Sequence, residues 1–290
     1  MTLKLSIITP SFNQGRFLEE TILSVLNQGY KSLEYIVIDG GSTDESVSII
    51  RRYEPRLTYW ESEKDRGQVH AINKGLEKVT GDIVAFINSD DVYLPGAFSS
   101  VMNYFHENPE SKWVCGDTIM FGDGYDTKLI RAVVPRSAAH CLSWAYRAPQ
   151  PGHFWKANLA KSGFQERWNY DFDHDLYVRL LLAGHQCEYI PVPMAGYRLH
   201  EASKTIAESH RMSEEFDRIA EFYEPQLQGA DQRWCKATRF LRLSYAASEA
   251  GRKSEAISWL MRAFATHPEG VLNRPFWGCL RRLTFRNSTA

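Results

Sequence analysis

The stretch Ile83-Val84-Ala85-Phe86-Ile87-Asn88-Ser89-Asp90-Asp91 decides the fold. Five consecutive apolar residues suit a strand covered on both faces, and such strands belong to parallel sheets flanked by helices. The run ends abruptly in an amide, a hydroxyl and two adjacent carboxylates. Toward the N-terminus the same beat recurs. Gln68–Lys78 places Val69, Ile72 and Leu76 on one helical face, and Leu57–Glu61 reads as a strand. Asp44 and Glu45 set negative charge where a helix running to Tyr53 begins. Glu34–Asp39 is a buried-strand composition broken by Gly40-Gly41-Ser42-Thr43. Leu18, Ile22, Val25 and Leu26 have helical spacing, and Leu5–Thr9 is a strand stopped by Pro10. This alternation predicts an α/β fold: a mostly parallel sheet with right-handed crossovers and helices on both faces.

Toward the C-terminus, Val92–Asn108 reads as a helix and 113–135 as two strands around Gly122-Asp123-Gly124. Residues 136–170 look irregular and aromatic-rich, with Trp144, Trp155 and Trp168 among them. Asp173–Ala183 returns to helix, and the chain is helical from about Ser209. Tyr245-Ala246-Ala247 followed by Gly251, Ala256, Leu260, Ala263 and Pro268 resembles one tetratricopeptide-type helix pair. A single such unit cannot bury its own face, so it reads as an appendage.

Of the 290 residues, 43% are hydrophobic and 24% charged, enough apolar surface to exclude disorder as the main state. No apolar run approaches the ~18–20 residues of a membrane span. The N-terminus enters a strand without the cleavage region of a signal peptide. Five scattered cysteines, none in a CxxC pair, argue against a disulfide framework or zinc knuckle and suit a reducing cytoplasm. The net charge of −1 hides an asymmetry, because residues 231–290 hold 11 Lys and Arg against 4 Asp and Glu. The acidic remainder disfavours a nucleic-acid partner. In the basic tail Phe276, Leu280 and Leu283 form a stripe beside Arg281, Arg282 and Arg286. That stripe suits either an anionic membrane surface or packing against Ile257, Leu260, Met261 and Phe264.

A sheet of this kind binds ligands beyond the carboxyl ends of its strands. The segments to inspect are Thr9–Asn13, Asp39–Ser42, Ser62–Asp65 and Asn88–Asp91. None contains the GxGxxG of a dinucleotide site or the GxxxxGK[ST] of a P-loop, which disfavours a dehydrogenase or ordinary NTPase. Asp90 and Asp91 repel each other. Either a Mg²⁺ or Mn²⁺ ion bridging substrate phosphates offsets them, or they cap the helix expected from Val92.

Ile7-Ile8-Thr9-Pro10-Ser11-Phe12-Asn13, Ser24-Val25-Leu26-Asn27-Gln28 and Ile38-Asp39-Gly40-Gly41-Ser42-Thr43-Asp44 form an ordered series. It continues through Gly67-Gln68, Ala71, Asn73-Lys74-Gly75, Gly81-Asp82 and Asn88-Ser89-Asp90-Asp91. The series resembles the opening of a family-2 glycosyltransferase, densely over 3–100 and thinly over 145–205. The resemblance implies a GT-A fold over 1–208, with 1–110 binding the donor and 111–208 holding the acceptor and the base. Residues 209–290 form a helical extension outside it.

By that resemblance Thr9, Pro10 and Phe12 border the nucleoside and Asp39 accepts a hydrogen bond from the base. Ser42, Lys64, Asp65, Gln68, Asn88 and Ser89 also belong to the donor site. Asp90 leads a Mg²⁺ or Mn²⁺ site supported by Asp91 and His200. Asn88 departs from the family's D-x-D and contributes no charge. Asp171-Phe172-Asp173-His174-Asp175-Leu176 resembles the second signature, which makes Asp173 the general base and Asp175 the reserve. Phe172 stands where the family usually has Glu. Gln150, His153, Trp155 and Asp175 line the acceptor cleft.

The implied activity is inverting transfer of a hexose from a nucleotide-diphosphate sugar, expected to be UDP-linked. The implied acceptor is a saccharide or polyprenyl-diphosphate-linked saccharide in surface-polysaccharide assembly, at the inner face of the plasma membrane. The alternatives are a sugar-nucleotidyltransferase, which would carry a basic phosphate loop near Pro10–Gly15, and an inactive transferase-like adaptor.

Overall fold

The structure is a computed structural model in which residues 2–143 and 149–271 are described. The N-terminal elements follow the expected alternation: β1 (Leu5–Ser11), α1 (Gly15–Leu26), β2 (Leu33–Asp39), α2 (Ser46–Tyr53), β3 (Tyr59–Ser62), α3 (Gln68–Lys78) and β4 (Ile83–Phe86). The order β3-β2-β1-β4 is parallel throughout, with Ile7 opposite both Tyr35 and Ala85. Leu5, Ile7, Ile8, Ile36, Ile38, Ile83 and Ile87 have no measurable exposure. Helix α3 packs so closely on β1 that a Cβ at Gly75 would sit 2.5 Å from Ile8 Cγ2.

The chain continues with β5 (Val92–Tyr93), α4 (Ala97–Glu107), β6 (Trp113–Gly122), β7 (Tyr125–Ile130), α5 (Ala138–Cys141), β8 (His153–Lys156), α6 (Ala157–Ala160), α7 (Phe172–Leu182), β9 (Glu188–Arg198) and α8 (Lys204–Ala207). The sheet extends past β4 as β8-β6-β9-β5, with β7 paired to β6. Strand β8 is antiparallel to both neighbours, while β9 lies parallel to β6.

Two expectations need correction. Residues 136–170 are not wholly irregular, because β8 fills the position between β4 and β6. The helix expected from Val92 begins at Ala97, after Pro95 and a left-handed Gly96 (φ 83°). Val92 and Tyr93 instead pair with Gly196 and Ala195 of β9. Asp90 and Asp91 are therefore no helix cap.

The described residues divide into two compact units, one reaching Arg136 and resuming from Pro149 to Met212, the other formed by 137–143 and 213–271. In the second, α9 (Ser209–Tyr223) leads to α10 (Gly229–Glu249) and α11 (Lys253–Thr266). Helices α10 and α11 share a core of Ala237, Phe240, Leu241, Leu260 and Ala263. Helix α10 reaches back to Gly229, well before the Tyr245 start of the repeat-like stretch. Its Arg242 binds Asp217 Oδ1 (2.7 Å) and the Leu142 carbonyl (3.1 Å). Among the described residues no helix is long and apolar enough to cross a membrane. Trp144 and the stripe Phe276, Leu280 and Leu283 with its arginines lie outside the described residues.

Candidate active site

The carboxyl ends of β1, β2 and β3 are tied into one surface by the Asp39 carboxylate. Its Oδ2 accepts from the amides of Gly41 (3.1 Å) and Ser42 (2.8 Å) and from Ser62 Oγ (2.7 Å); its Oδ1 accepts from Ser42 Oγ (2.6 Å). Ser42 Oγ in turn accepts from the Asn13 amide (2.8 Å), and Asn13 Oδ1 accepts from Thr43 N (2.9 Å). Asn13 adopts the left-handed conformation (φ 51°) that this lacing requires. The loop 63–65 covers the turn: an ideal Cβ on Gly41 (φ 82°) would meet Lys64 N at 3.2 Å, and one on Gly40 would meet Asp65 Oδ2 at 2.8 Å. Asp65 Oδ1 also accepts from Gly67 N (2.7 Å). Asp39 has no exposed surface, so contact with a base requires this cover to part. Thr9 is likewise interior, bonded to the Tyr35 hydroxyl, and Pro10 is buried. At this mouth Phe12 is a large apolar side chain that reaches out, 60% exposed.

The loop after β4 is joined to the segment after β9 by a directional chain of hydrogen bonds. Lys204 Nζ donates to Gln68 Oε1 (2.9 Å), Gln68 Nε2 donates to Asn88 Oδ1 (2.6 Å), and Asn88 Nδ2 donates to Asp91 Oδ2 (3.3 Å). The ammonium can only donate, so the Lys204 end fixes the orientation of both amides in turn. Asp91 Oδ1 accepts from the Arg198 amide (2.8 Å), locking β9 to this turn. Burial, then the neighbouring Asp90 charge, push the Asp91 carboxyl well above the usual range. Asp91 is 1% exposed, with Oδ1 on the Arg198 amide and Oδ2 on Asn88, so it faces the interior and not the opening expected of a metal ligand. Ser89, 4% exposed, is likewise packed inside and not open to a donor.

Asp90 has the opposite environment. Its Oδ2 lies 3.0 Å from His200 Nε2, and the two side chains are 18% and 11% exposed. Phe17 packs on the His200 ring at 4.6 Å. Two ligands at right angles on bonds of about 2.1 Å stand about 3 Å apart, so this oxygen–nitrogen pair fits one edge of an octahedral Mg²⁺ or Mn²⁺ sphere. Arg198 does not face this opening as free charge. Its guanidinium lies 4.4 Å from the Phe121 ring centre and 5.0 Å from that of Phe17. Its Nε donates to the Asp90 carbonyl (2.8 Å), and it pairs with Glu20.

Helix α7 brings a further carboxylate to the region. Phe172, in place of an acidic residue, packs on Phe86 of β4 (5.9 Å) and on Phe164 (5.6 Å). That contact sets the head of α7 beside the end of β4. Asp173 is next in sequence, with its side chain 14% exposed. Tyr197 of β9 is acted on by all three acidic groups: burial, then the charges of Asp91, Asp90 and Asp173, push its phenol up to about 12. Asp175 belongs to the interior. Its Oδ1 accepts from Trp168 Nε1 and its Oδ2 from Arg179 Nε, both at 2.9 Å, and it has no exposure. This corrects its reading as reserve base and acceptor contact.

His153 and Trp155 are corrected for the same reason. His153 Nδ1 accepts from Trp113 Nε1 (2.9 Å) and its ring stacks on Tyr177 at 4.5 Å. Trp155 is 1% exposed within β8, leaving no face for a sugar. Gln150, half-buried, donates to the Phe86 carbonyl (2.9 Å) at the end of β4. The sequence reading missed Tyr197 and His174. His174 Nδ1 stands 3.4 Å from Asp171 Oδ1 and 3.6 Å from Asp173 Oδ1. Acidic residues one and three positions before a histidine at a helix start were the available signal.

Residues 6–157 match the profile of Glycosyl transferase family 2. An uncharacterized glycosyltransferase of Mycobacterium tuberculosis is 31% identical over 217 residues, 71% of this chain and 77% of the relative. The GalNAc(5)-diNAcBac-PP-undecaprenol beta-1,3-glucosyltransferase of Campylobacter jejuni is 36% identical over 108 residues, 36% of this chain and 35% of its own. Among solved structures, Staphylococcus aureus TarS 1–349 in complex with UDP-GlcNAc aligns with a TM-score of 0.66 at 17% identity, covering 92% of this chain and 82% of that one. A mannosyltransferase of Pyrobaculum calidifontis in complex with GDP-Man and Mn²⁺ also gives 0.66 at 17% identity, covering 98% and 84%. At such identity the likeness is one of fold, the GT-A type.

Proposed function

The chain belongs to glycosyl transferase family 2, and from that membership we propose an inverting transferase that moves a hexose from a UDP-sugar to a hydroxyl. The observation that carries this reading is the Asp90–His200 pair at 3.0 Å, with Asp173 near enough that its charge and that of Asp90 both act on Tyr197. One side offers an oxygen and a nitrogen ligand near the carboxyl ends of the strands, where a diphosphate would lie. The other offers a single carboxylate.

Asp173 accepts the proton of the acceptor hydroxyl as its oxygen bonds to the anomeric carbon and the bond to the diphosphate breaks. One displacement inverts the anomeric configuration. A divalent ion held by Asp90 and His200 would neutralise charge on the departing diphosphate, so no second acid is needed. Phe12 is positioned to stack on the nucleobase, and Lys64 and Asp65 lie on the loop that would close on the donor. Lys204 brings positive charge close to Asn88, which has none.

For the acceptor we favour a saccharide, free or carried on polyprenyl diphosphate, as in the Campylobacter jejuni relative's name. An anionic inner membrane surface then fits the basic tail, a reading that rests on sequence alone. Liposome co-sedimentation of the full chain against a chain ending at Pro275 tests it. The donor reading is tested by thermal shift with UDP and GDP, each with Mg²⁺, Mn²⁺ or EDTA. Metal-dependent stabilisation by UDP supports it. Stabilisation by GDP alone, or by UDP equally in EDTA, overturns the donor or the metal assignment respectively.

A further inference from the structure

We propose that His174 is a positioning residue for Asp173: its imidazolium, set against Asp171 and Asp173, keeps the second carboxylate ionised and fixes its orientation at the head of α7. This rests on the reading of Asp173 as base.

Asp171 and Asp173 bracket the start of α7 with side chains only 7% and 14% exposed. Two carboxylates so little solvated share a proton unless a cation offsets them. His174 is placed to be that cation, with Nδ1 3.4 Å from one oxygen and 3.6 Å from the other. The three ligand atoms lie within 4.8 Å of one another. The N-terminal end of a helix disfavours a positive charge, so the charge on His174 must come from its acidic neighbours.

Burial alone would lower the His174 pKa, but the Asp173 charge and the contacts with Asp171 and Asp173 outweigh it and push it up to about 10. Burial would likewise raise Asp173; the His174 charge and hydrogen bonds reverse that and hold it below the usual range. Among the described residues, Tyr177 of α7 (5.9 Å from the His174 ring), His153 of β8 and Tyr197 of β9 are titratable groups that act on the cluster. Asp175 is engaged with Arg179 and does not compete. With Asp173 Oδ1 drawn toward the imidazolium, Oδ2 is left for the incoming hydroxyl. The arrangement costs basicity and secures an ionised acceptor at every pH of use.

The test uses the full chain with ¹³C-labelled histidine, the His174 Cε1–H signal being assigned by its loss in His174→Gln. No titration below about pH 9 is expected, and Asp171→Asn and Asp173→Asn should each move the midpoint toward ~6.5. In parallel, UDP release from UDP-GlcNAc with Mn²⁺ and water as acceptor is followed from about pH 5 to 8.5. The unaltered protein should give a flat profile, whereas His174→Gln should lose about tenfold at pH 5 relative to pH 8. His174→Lys, which keeps the charge, should restore the flat profile. A His174 midpoint near 6.5, or a His174→Gln profile parallel to the parent at every pH, overturns the proposal. Where UDP-GlcNAc is not turned over, the NMR titration decides alone. Asp173→Asn retaining full UDP release would remove the base assignment while leaving the titration result standing, so the two failures are distinguishable.

Discussion

Replacing Asp173 and Asp175 by asparagine, one at a time, separates chemistry from architecture within three residues. Asp175 is fully buried, with one oxygen on the Trp168 indole N–H and the other on Arg179 Nε. An amide has one accepting oxygen, so Asp175→Asn loses one of these bonds and turns an N–H against a donor. Arg179 keeps Ser162 Oγ (2.9 Å) and the Gly163 carbonyl (2.8 Å), which softens the loss of its counter-ion. The cost should fall near the lower end of the range for breaking a buried pair, about 3 kcal/mol. For a unit of this size that is a fall of roughly 6–12 °C in Tm. Asp173→Asn removes a carboxylate only 14% exposed, but Asp171 still stands 3.4 Å from His174, so the loss should be smaller, ~1–2 kcal/mol. Its donor turnover should fall on the order of 10²–10⁴-fold, with UDP binding unchanged. Urea melts give the first pair of numbers. UDP release, measured cold enough that Asp175→Asn is fully folded, gives the second. A stable but inactive Asp175→Asn beside an active Asp173→Asn would refute both assignments together.

Asp90→Ala should abolish the Mn²⁺-dependent part of UDP stabilisation in a thermal-shift titration, because it removes the half-buried carboxylate paired with His200. Glu34 should contribute to acid sensitivity. Burial would raise its pKa, but Lys4, Ser6 and Thr80 hold it at about 2. A folded pKa below the unfolded one contributes stability above about pH 4.5, and that contribution fades as pH falls toward 2. Glu34→Gln should therefore cost about 3 kcal/mol at neutral pH and little near pH 2, as urea melts at both pH values would report. Gly41→Ala forces a side chain at φ 82° against Lys64 N and should cost ~1–3 kcal/mol. Calorimetry should also show weaker UDP binding in that variant, since the covering loop is displaced.

The alternation of β1 to β4 with three helices was legible because each element is short, strongly periodic and punctuated by Pro or Gly. The far half of the sheet was not. Val92 and Tyr93 become a strand through pairing about a hundred residues downstream, information absent from any local window. Strand β8 is similar: His153-Phe154-Trp155 reads as an aromatic patch until β4 and β6 close on either side of it. The site shows the same division. Asp90, Asp173 and His200 could be singled out from spacing and resemblance, but burial had to be seen. It retires Asp91, Ser89, His153, Trp155 and Asp175, whose side chains serve the sheet and the head of α7. Helical geometry did hold a clue for Asp175, since two residues along a helix turn a side chain to the opposite face.

The chain from Lys204 through Gln68 and Asn88 to Asp91 bears on how this protein can change over generations. Each link is readable in one direction only, so no single acidic replacement inside it is neutral. An aspartate at 88 could no longer donate to Asp91 without holding a proton, and a glutamate at 68 would lose its donor to residue 88. Sequences descended from a common ancestor with this one should therefore alter positions 68, 88 and 204 in concert. A lineage carrying aspartate at the position of Asn88 should show a compensating change in one of the other two, and independent drift at the three would mean that the chain carries no selective weight.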